Sequence, residues 1–144
     1  MKSELDRAFM NLNCRTYPKE VERVFFRAGE SGFEVLVAKL QQAQMPELQT
    51  INALRLLMAL RLVGGADRSF EQILRATEDP RIRVRSAATQ LAIGYTRFSE
   101  QLPYAAIPLA KREIVKPAIE RAVTLGIRPK DTLRYAQDFL SNEV

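Results

Sequence analysis

The stretch Pro46–Val63, PELQTINALRLLMALRLV, constrains the fold more than any other part of the chain. From Ile51 onward only Asn52, Arg55 and Arg61 interrupt its apolar side chains. A surface helix carries one apolar stripe, whereas a helix that is apolar most of the way round is covered by neighbours on several sides. Pro46 suits a first helical turn and Gly64-Gly65 a helix end, so the pattern predicts a central helix inside a stack of others.

The flanking sequence supplies those neighbours. Ser3 and Asp6 form a capping-box pattern ahead of Leu5, Ala8, Phe9 and Leu12, which recur at helical spacing. Pro18 opens a helix with Val21, Val24 and Phe25 facing inward, and Gly29 and Gly32 bracket the next turn. A third helix carries Phe33, Leu36, Val37 and Leu40, and Phe26 and Phe70 are expected in the core with Phe25 and Phe33. Beyond the central helix, Asp67 or Ser69 caps a helix with Phe70, Ile73 and Leu74. The turn Glu78-Asp79-Pro80 then leads into a long helix striped by Ile82, Val84, Ala87, Ala88, Leu91, Ala92 and Tyr95. From Ser99 to Pro117 prolines punctuate the chain. The doublets Ile114-Val115, Ala118-Ile119 and Ala122-Val123 nevertheless repeat every four residues through Pro117, which places that proline either in a first turn or at a kink. A last helix follows Pro129, with Leu133, Ala136 and Leu140 on one face. No period-2 alternation bounded by hairpin turns persists, so the chain is expected to be all-α.

Two helix-turn-helix units, about 32–63 and 69–98, resemble each other. Phe33-Glu34 answers Phe70-Glu71, and Leu36-Val37 answers Ile73-Leu74. In the second helices an offset of 34 residues aligns Pro46 with Pro80, Leu48 with Ile82, Ala53 with Ala87 and Leu57 with Leu91. One helix pair per period of this length is the signature of a helical solenoid. The second unit, FEQILRATEDPRIRVRSAATQLAIG, resembles a HEAT repeat, in which an Asp-Pro turn ends one helix and a Val-Arg pair starts its partner. Asp79, Pro80, Val84, Arg85, Ala87, Ala88, Leu91 and Gly94 occupy the positions of that pattern. The first unit departs from it, with Met45 where Asp79 aligns and Ile51 where Arg85 aligns. The resemblance implies a single domain over 1–144, a right-handed stack of antiparallel helix pairs with about seven to nine helices and flanking capping helices. It also implies structural roles for Asp79 and Arg85, bonding along the stack.

Composition narrows the chemistry. The chain has no His and one Cys, which excludes a conventional zinc site, a His-based triad and an internal disulfide. Cys14 lies in a loop with no His to activate it and is read as a packing residue. No carboxylate pair stands against an apolar background, so no catalytic residue, cofactor or metal is expected. No apolar run approaches the ~20 residues of a membrane-spanning helix, and the N-terminus lacks the pattern of a signal or transit peptide. The expected setting is a reducing cytoplasm.

The net charge of +5 is uneven: residues 81–144 hold 11 basic and 6 acidic side chains, and Arg outnumbers Lys 16 to 6. In HEAT-like stacks the second helix of each pair lines the concave face. The resemblance therefore implies a partner-binding strip of Gln49, Asn52, Arg55, Arg83, Ser86, Gln90 and Arg97. The leading expectation is a non-enzymatic module that binds another protein, as an adaptor, a chaperone-like partner or an immunity-type binder. The alternatives are a nucleic-acid binder using the basic half 81–134 and a structural subunit of a larger assembly.

Overall fold

The computed structural model describes residues 4–42, 45–101 and 108–141. Ser3 therefore lies outside the described residues, as does the part of the proline-punctuated segment from 102 to 107. Among the described residues the protein is all-α. The helices are α1 (Glu4–Met10), α2 (Lys19–Ala28), α3 (Glu30–Gln41), α4 (Glu47–Ala59), α5 (Arg61–Gly64), α6 (Ala66–Ala76), α7 (Ile82–Gln101), α8 (Arg112–Leu125) and α9 (Lys130–Ser141), with a 3-10 turn at Pro108–Ala110. No described helix is long and apolar enough to cross a membrane. The chain divides into two compact units, Met1–Gln72 and Ile73–Val144.

In the first unit α1, α2, α3 and α4 pack in succession, and α1 also touches α3 and α4. Their apolar stripes meet in one core: Ala8, Phe9 and Leu12, then Val21 and Phe25, then Phe33, Leu36 and Val37, then Ala53, Leu56, Leu57 and Leu60. The central helix of the sequence pattern is α4, and it is buried around most of its circumference; Asn52 and Gln49 are as deep as its leucines. It stops at Ala59, and the chain resumes as α5, whose Gly64 lies so close to the Phe33 ring that no Cβ fits between them. Phe26 departs from expectation at 43% exposed, because it lies about 100° around the helix from the fully buried Phe25. Gly29 alone makes the α2–α3 joint, at φ 61, and α3 starts immediately at Glu30. Gly32 is therefore inside α3, where a Cβ would stand 2.8 Å from the Phe25 carbonyl oxygen. It is a close-approach residue rather than a turn residue.

In the second unit α7, α8 and α9 pack pairwise against one another. Contacts at each end fix their directions. The carbonyls of Leu125 and Gly126, ending α8, accept from Arg85 near the start of α7, while Arg112, starting α8, donates to Phe139 near the end of α9. Thus α8 runs antiparallel to both neighbours, and α7 and α9 run parallel. The seam is lined by small side chains, with Ala88, Ala92, Ala118, Ala122 and Ala136 all buried beside Val84, Ile93, Val115, Ile119 and Phe139. Small residues let helix axes approach toward the short end of the ~8–10 Å packing range. The doublet pattern through Pro117 is one helix, with the proline beyond its first turn. Pro117 lacks the N–H that would pair with the Glu113 carbonyl, a local cost of order ~3 kcal/mol that the packing of Val115, Ala118 and Ile119 offsets. On α9 the inward residues are Thr132, Ala136 and Phe139, so the buried face is rotated from the predicted Leu133, Ala136 and Leu140. On α7, Ala88 and Ala92 are buried while Ala87, Leu91 and Tyr95 are half-buried.

Two glycines inside helices are expected to respond oppositely to a methyl group. Gly32→Ala should destabilise by about 1–3 kcal/mol, because its Cβ meets a backbone carbonyl that cannot swing away. Gly94 is exposed in mid-α7, where a Cβ would meet only the Tyr135 hydroxyl at 3.9 Å. Gly94→Ala should therefore stabilise by about 0.5–1 kcal/mol, through helix propensity alone. Urea denaturation of the two variants beside the parent measures both signs.

Candidate functional site

Three of the seven expected surface residues face inward. Gln49 is 4% exposed and its amide donates to the Phe9 carbonyl at 2.9 Å. Asn52 is 1% exposed and donates to the carbonyls of Leu12 at 2.8 Å and Cys14 at 2.7 Å. Ser86 donates to the Ile82 carbonyl at 2.6 Å and accepts from the Arg128 backbone N–H at 2.9 Å. Gln49 and Asn52 bond to backbone at the end of α1 and in the turn after it, and Ser86 holds the backbone N–H of Arg128 beyond the end of α8. Asn52 and Ser86 also occupy aligned positions of the internal repeat, and both pin a segment some 40 residues away. A polar residue in a helix reads as solvent-facing in sequence; nothing in the local pattern reveals a distant carbonyl.

Arg55 is exposed and donates to the Asn52 side-chain oxygen at 3.3 Å. Close by, the Tyr17 hydroxyl donates to Glu22 at 2.6 Å. Burial first, then the bond to Glu22 and its charge, hold the Tyr17 hydroxyl above its ordinary pKa, with the Arg55 charge acting the other way. This corner is a braced α1–α2 connection. Cys14 belongs to it, its thiol donating to the Thr16 carbonyl at 3.0 Å. A surface depression between α1 and α2, ≈ 330 Å³, is lined by Glu4, Leu5, Val24, Arg27 and Ala28. Among the described residues its charged lining side chains, Arg27 and Glu4, face each other at 3.7 Å.

Arg83, Gln90 and Arg97 stand at seven-residue intervals on α7 and share one face with Gly94. Arg83 and Gln90 are exposed, and Arg97 is half-buried. The Arg97 guanidinium lies 4.7 Å from the centroid of the Tyr135 ring, contributed by the parallel helix α9. Beside it Phe98 is 40% exposed, with the Tyr95 ring 6.0 Å away and tilted by 47°. The structure thus brings Gln90, Gly94, Arg97, Phe98 and Tyr135 onto one face of the second unit. Gln49, Asn52 and Arg55 belong to the first unit. Tyr135 was not among the expected residues. Its signal was the spacing of Thr132, Ala136 and Phe139, which turns Tyr135 to the edge of α9's buried face.

Much of the basic excess in the second half serves the fold. Arg85 is 4% exposed, and its guanidinium donates to the carbonyls of Gly126 at 2.8 Å, Asp79 at 2.9 Å, Leu125 at 3.0 Å and Pro80 at 3.2 Å. Four of its five N–H groups are matched, and the partners on α8 lie at the negative end of that helix. Gly126, at φ 114, brings its carbonyl to this point, and a Cβ there would stand 3.5 Å from the guanidinium. Asp79 binds Arg81, accepting from its backbone N–H at 2.9 Å and its side chain at 3.0 and 3.1 Å. Burial alone would raise the Asp79 pKa, but the hydrogen bonds and charge of Arg81, with the charge of Arg85, hold it below the ordinary carboxylate value. Arg112 pairs with Glu100 at 3.2 Å and Arg121 with Glu78 at 3.3 Å. Among the described residues, Arg97, Arg128, Lys130 and Arg134 enter no ion pair, and no cluster of three or more His, Cys, Asp or Glu is placed to hold a metal.

Comparison with protein-family models, curated proteins and solved structures gives no match.

Removing the Arg85 guanidinium takes away four hydrogen bonds, to the carbonyls of Asp79, Pro80, Leu125 and Gly126. Arg85→Met should cost about 3–5 kcal/mol, and Arg85→Lys should recover only part, because a single ammonium cannot reach both chain segments. Urea unfolding, with amide exchange followed separately over 73–144, measures the loss. Asp79 adds a pH signature. Its folded pKa lies below the unfolded value, so its contribution is fully present above the unfolded value near ~4 and disappears as the pH falls through the folded value. The stability difference between the parent and Asp79→Asn should therefore be constant near neutrality and shrink below pH ~4.

Proposed function

We propose that the protein is a non-enzymatic, HEAT-like helical module that binds another protein through the α7–α9 face of its second unit. The observation that carries this reading is the grouping of Arg97 on Tyr135 with the partly exposed Phe98, beside Gln90 and the bare backbone at Gly94. Tyr, Arg and Phe are the residues enriched at the centres of protein interfaces, and an arginine held against a ring has little side-chain entropy left to lose on binding. The repeat-like reading draws support from α6 ending before the Asp79-Pro80 turn and α7 starting at Ile82, with Arg85 bonded back to that turn.

A second reading has its own observation. Arg128, Lys130 and Arg134 are exposed on the α8–α9 connection and the first turns of α9, without ion-pair partners among the described residues. They favour contact with a phosphate backbone.

The two readings separate experimentally. A photo-crosslinking amino acid at Gln90 should capture one discrete protein in the native host, and the same probe at Glu120 on α8 should not. Fluorescence anisotropy with duplex and single-stranded oligonucleotides should show no binding at physiological salt. Tight binding that falls steeply with salt, together with no specific adduct at Gln90, would replace the protein-partner reading by the nucleic-acid one.

A further inference from the structure

We infer that α8 is a releasable strap, which opens as one element while α7 and α9 stay folded against each other.

Little apolar surface holds α8 down. Its buried side chains are Val115, Ala118, Ile119 and Ala122, and two of these are single methyl groups. Its other large aliphatic side chains, Ile114 and Leu125, are exposed. Hydrophobic stabilisation scales with the apolar area taken out of water, so releasing α8 forfeits less of it than releasing a helix that inserts a ring. The neighbouring α9 does insert one, the buried Phe139. Pro117 weakens α8 from within as well. Standing beyond the first turn without an N–H, it leaves the Glu113 carbonyl lacking its helical bond.

The surface beneath α8 also favours opening. Arg85 bonds to the end of α8, and Ser86 to the chain just after it. Thr89 follows them by four and three residues, so helix geometry turns it into the same sector. Because α8 runs antiparallel to α7, the part of α8 that faces Thr89 is the turn before Leu125, around Ala122. The Thr89 hydroxyl is fully buried and has no hydrogen-bond partner among the described residues. A hydroxyl in that state carries its desolvation cost uncompensated, and water entering under a raised α8 removes the cost.

The remaining ties of α8 are polar. Arg85 holds the Leu125 and Gly126 carbonyls, Arg112 reaches the Phe139 carbonyl and Glu100, and Arg121 pairs with Glu78 at the surface. Each exchanges for hydrogen bonds to water when α8 opens, at a modest net cost. Arg85 retains the Asp79 and Pro80 carbonyls throughout. The α7–α9 pair has ties that do not pass through α8: Ser86 accepts from the Arg128 N–H, and Arg97 stacks on Tyr135.

Native-state amide exchange on the full chain, followed residue by residue by NMR in low urea, tests the strap. Amides over 118–125 should be protected about tenfold less, or weaker still, than those over 88–93 on α7 and 135–139 on α9, with a shallower urea dependence. Tyr135→Ala removes a tie that persists in the open form. It should therefore lower the protection of α7 and α9 several-fold and leave that of α8 unchanged. Pro117→Ala restores the missing N–H and should slow exchange in α8 by about tenfold or more. Equal protection and equal urea dependence in all three helices, or faster exchange in α9 than in α8, would overturn the inference. So would a Tyr135→Ala variant that loosens α8 as much as α7, or a Pro117→Ala variant whose α8 exchanges as fast as the parent's.

Discussion

The structure depends on matching backbone carbonyls that helices leave unpaired at their ends. A helix terminus inside a protein has orphan groups that water cannot reach, and each must find a partner. In the second unit Arg85 supplies that partner for two segments at once, the Asp79-Pro80 turn before α7 and the Leu125-Gly126 end of α8. Arg112 at the other end of α8 and Ser86, which holds the Arg128 N–H on the path into α9, complete the bracing. In the first unit amides on α4 tie down a helix end as well: Gln49 and Asn52 add hydrogen bonds to the Phe9 and Leu12 carbonyls, which also accept from the Leu12 and Cys14 N–H groups, and Asn52 reaches the Cys14 carbonyl. One long helix in each unit thus organises the loops as well as the core.

This arrangement explains what could be read from the sequence. Helix positions were legible because 3.6-residue periodicity and the punctuation at Pro18, Gly29, Pro46, Gly65, Pro80, Gly126 and Pro129 are local signals. The apolar core of the first unit followed, since Phe25, Phe33, Leu36, Leu56 and Leu57 fall on stripes that meet. The candidate binding strip was legible only in part. Arg55, Arg83 and Gln90 are at the surface, but Gln49, Asn52 and Ser86 are buried by bonds to residues about 40 positions away, and such partners leave no mark on periodicity. The same blindness misplaced the inward face of α7. Arg85, Thr89, Thr96 and Ser99 are all buried there, so the polar side chains that would normally mark the solvent face lie inside. Thr89 is the extreme case, its hydroxyl buried without a hydrogen-bond partner among the described residues.

Net charge was the weakest guide to function. The basic excess of the second half is a sum over side chains with different tasks. Arg85 is an internal strut, Arg81, Arg112 and Arg121 are neutralised by neighbours, and Arg97 is held against a ring. Among the described residues the cations of this half without an ion pair, such as Arg97, Arg128, Lys130 and Arg134, are fewer than the composition suggests.

The alanines where α7, α8 and α9 meet carry a consequence for how this sequence can drift. In the first unit the interior is made of phenylalanines and leucines, which can exchange for one another while neighbouring rotamers adjust. The second unit has no such latitude at Ala88, Ala92, Ala118, Ala122 and Ala136, because each is already close to the smallest side chain a helix tolerates, and enlarging any one pushes two backbones apart. Variation there must come in compensating pairs or not at all. Over long divergence the first unit would keep its volume and change its letters, and the second would keep its letters and change only its surface.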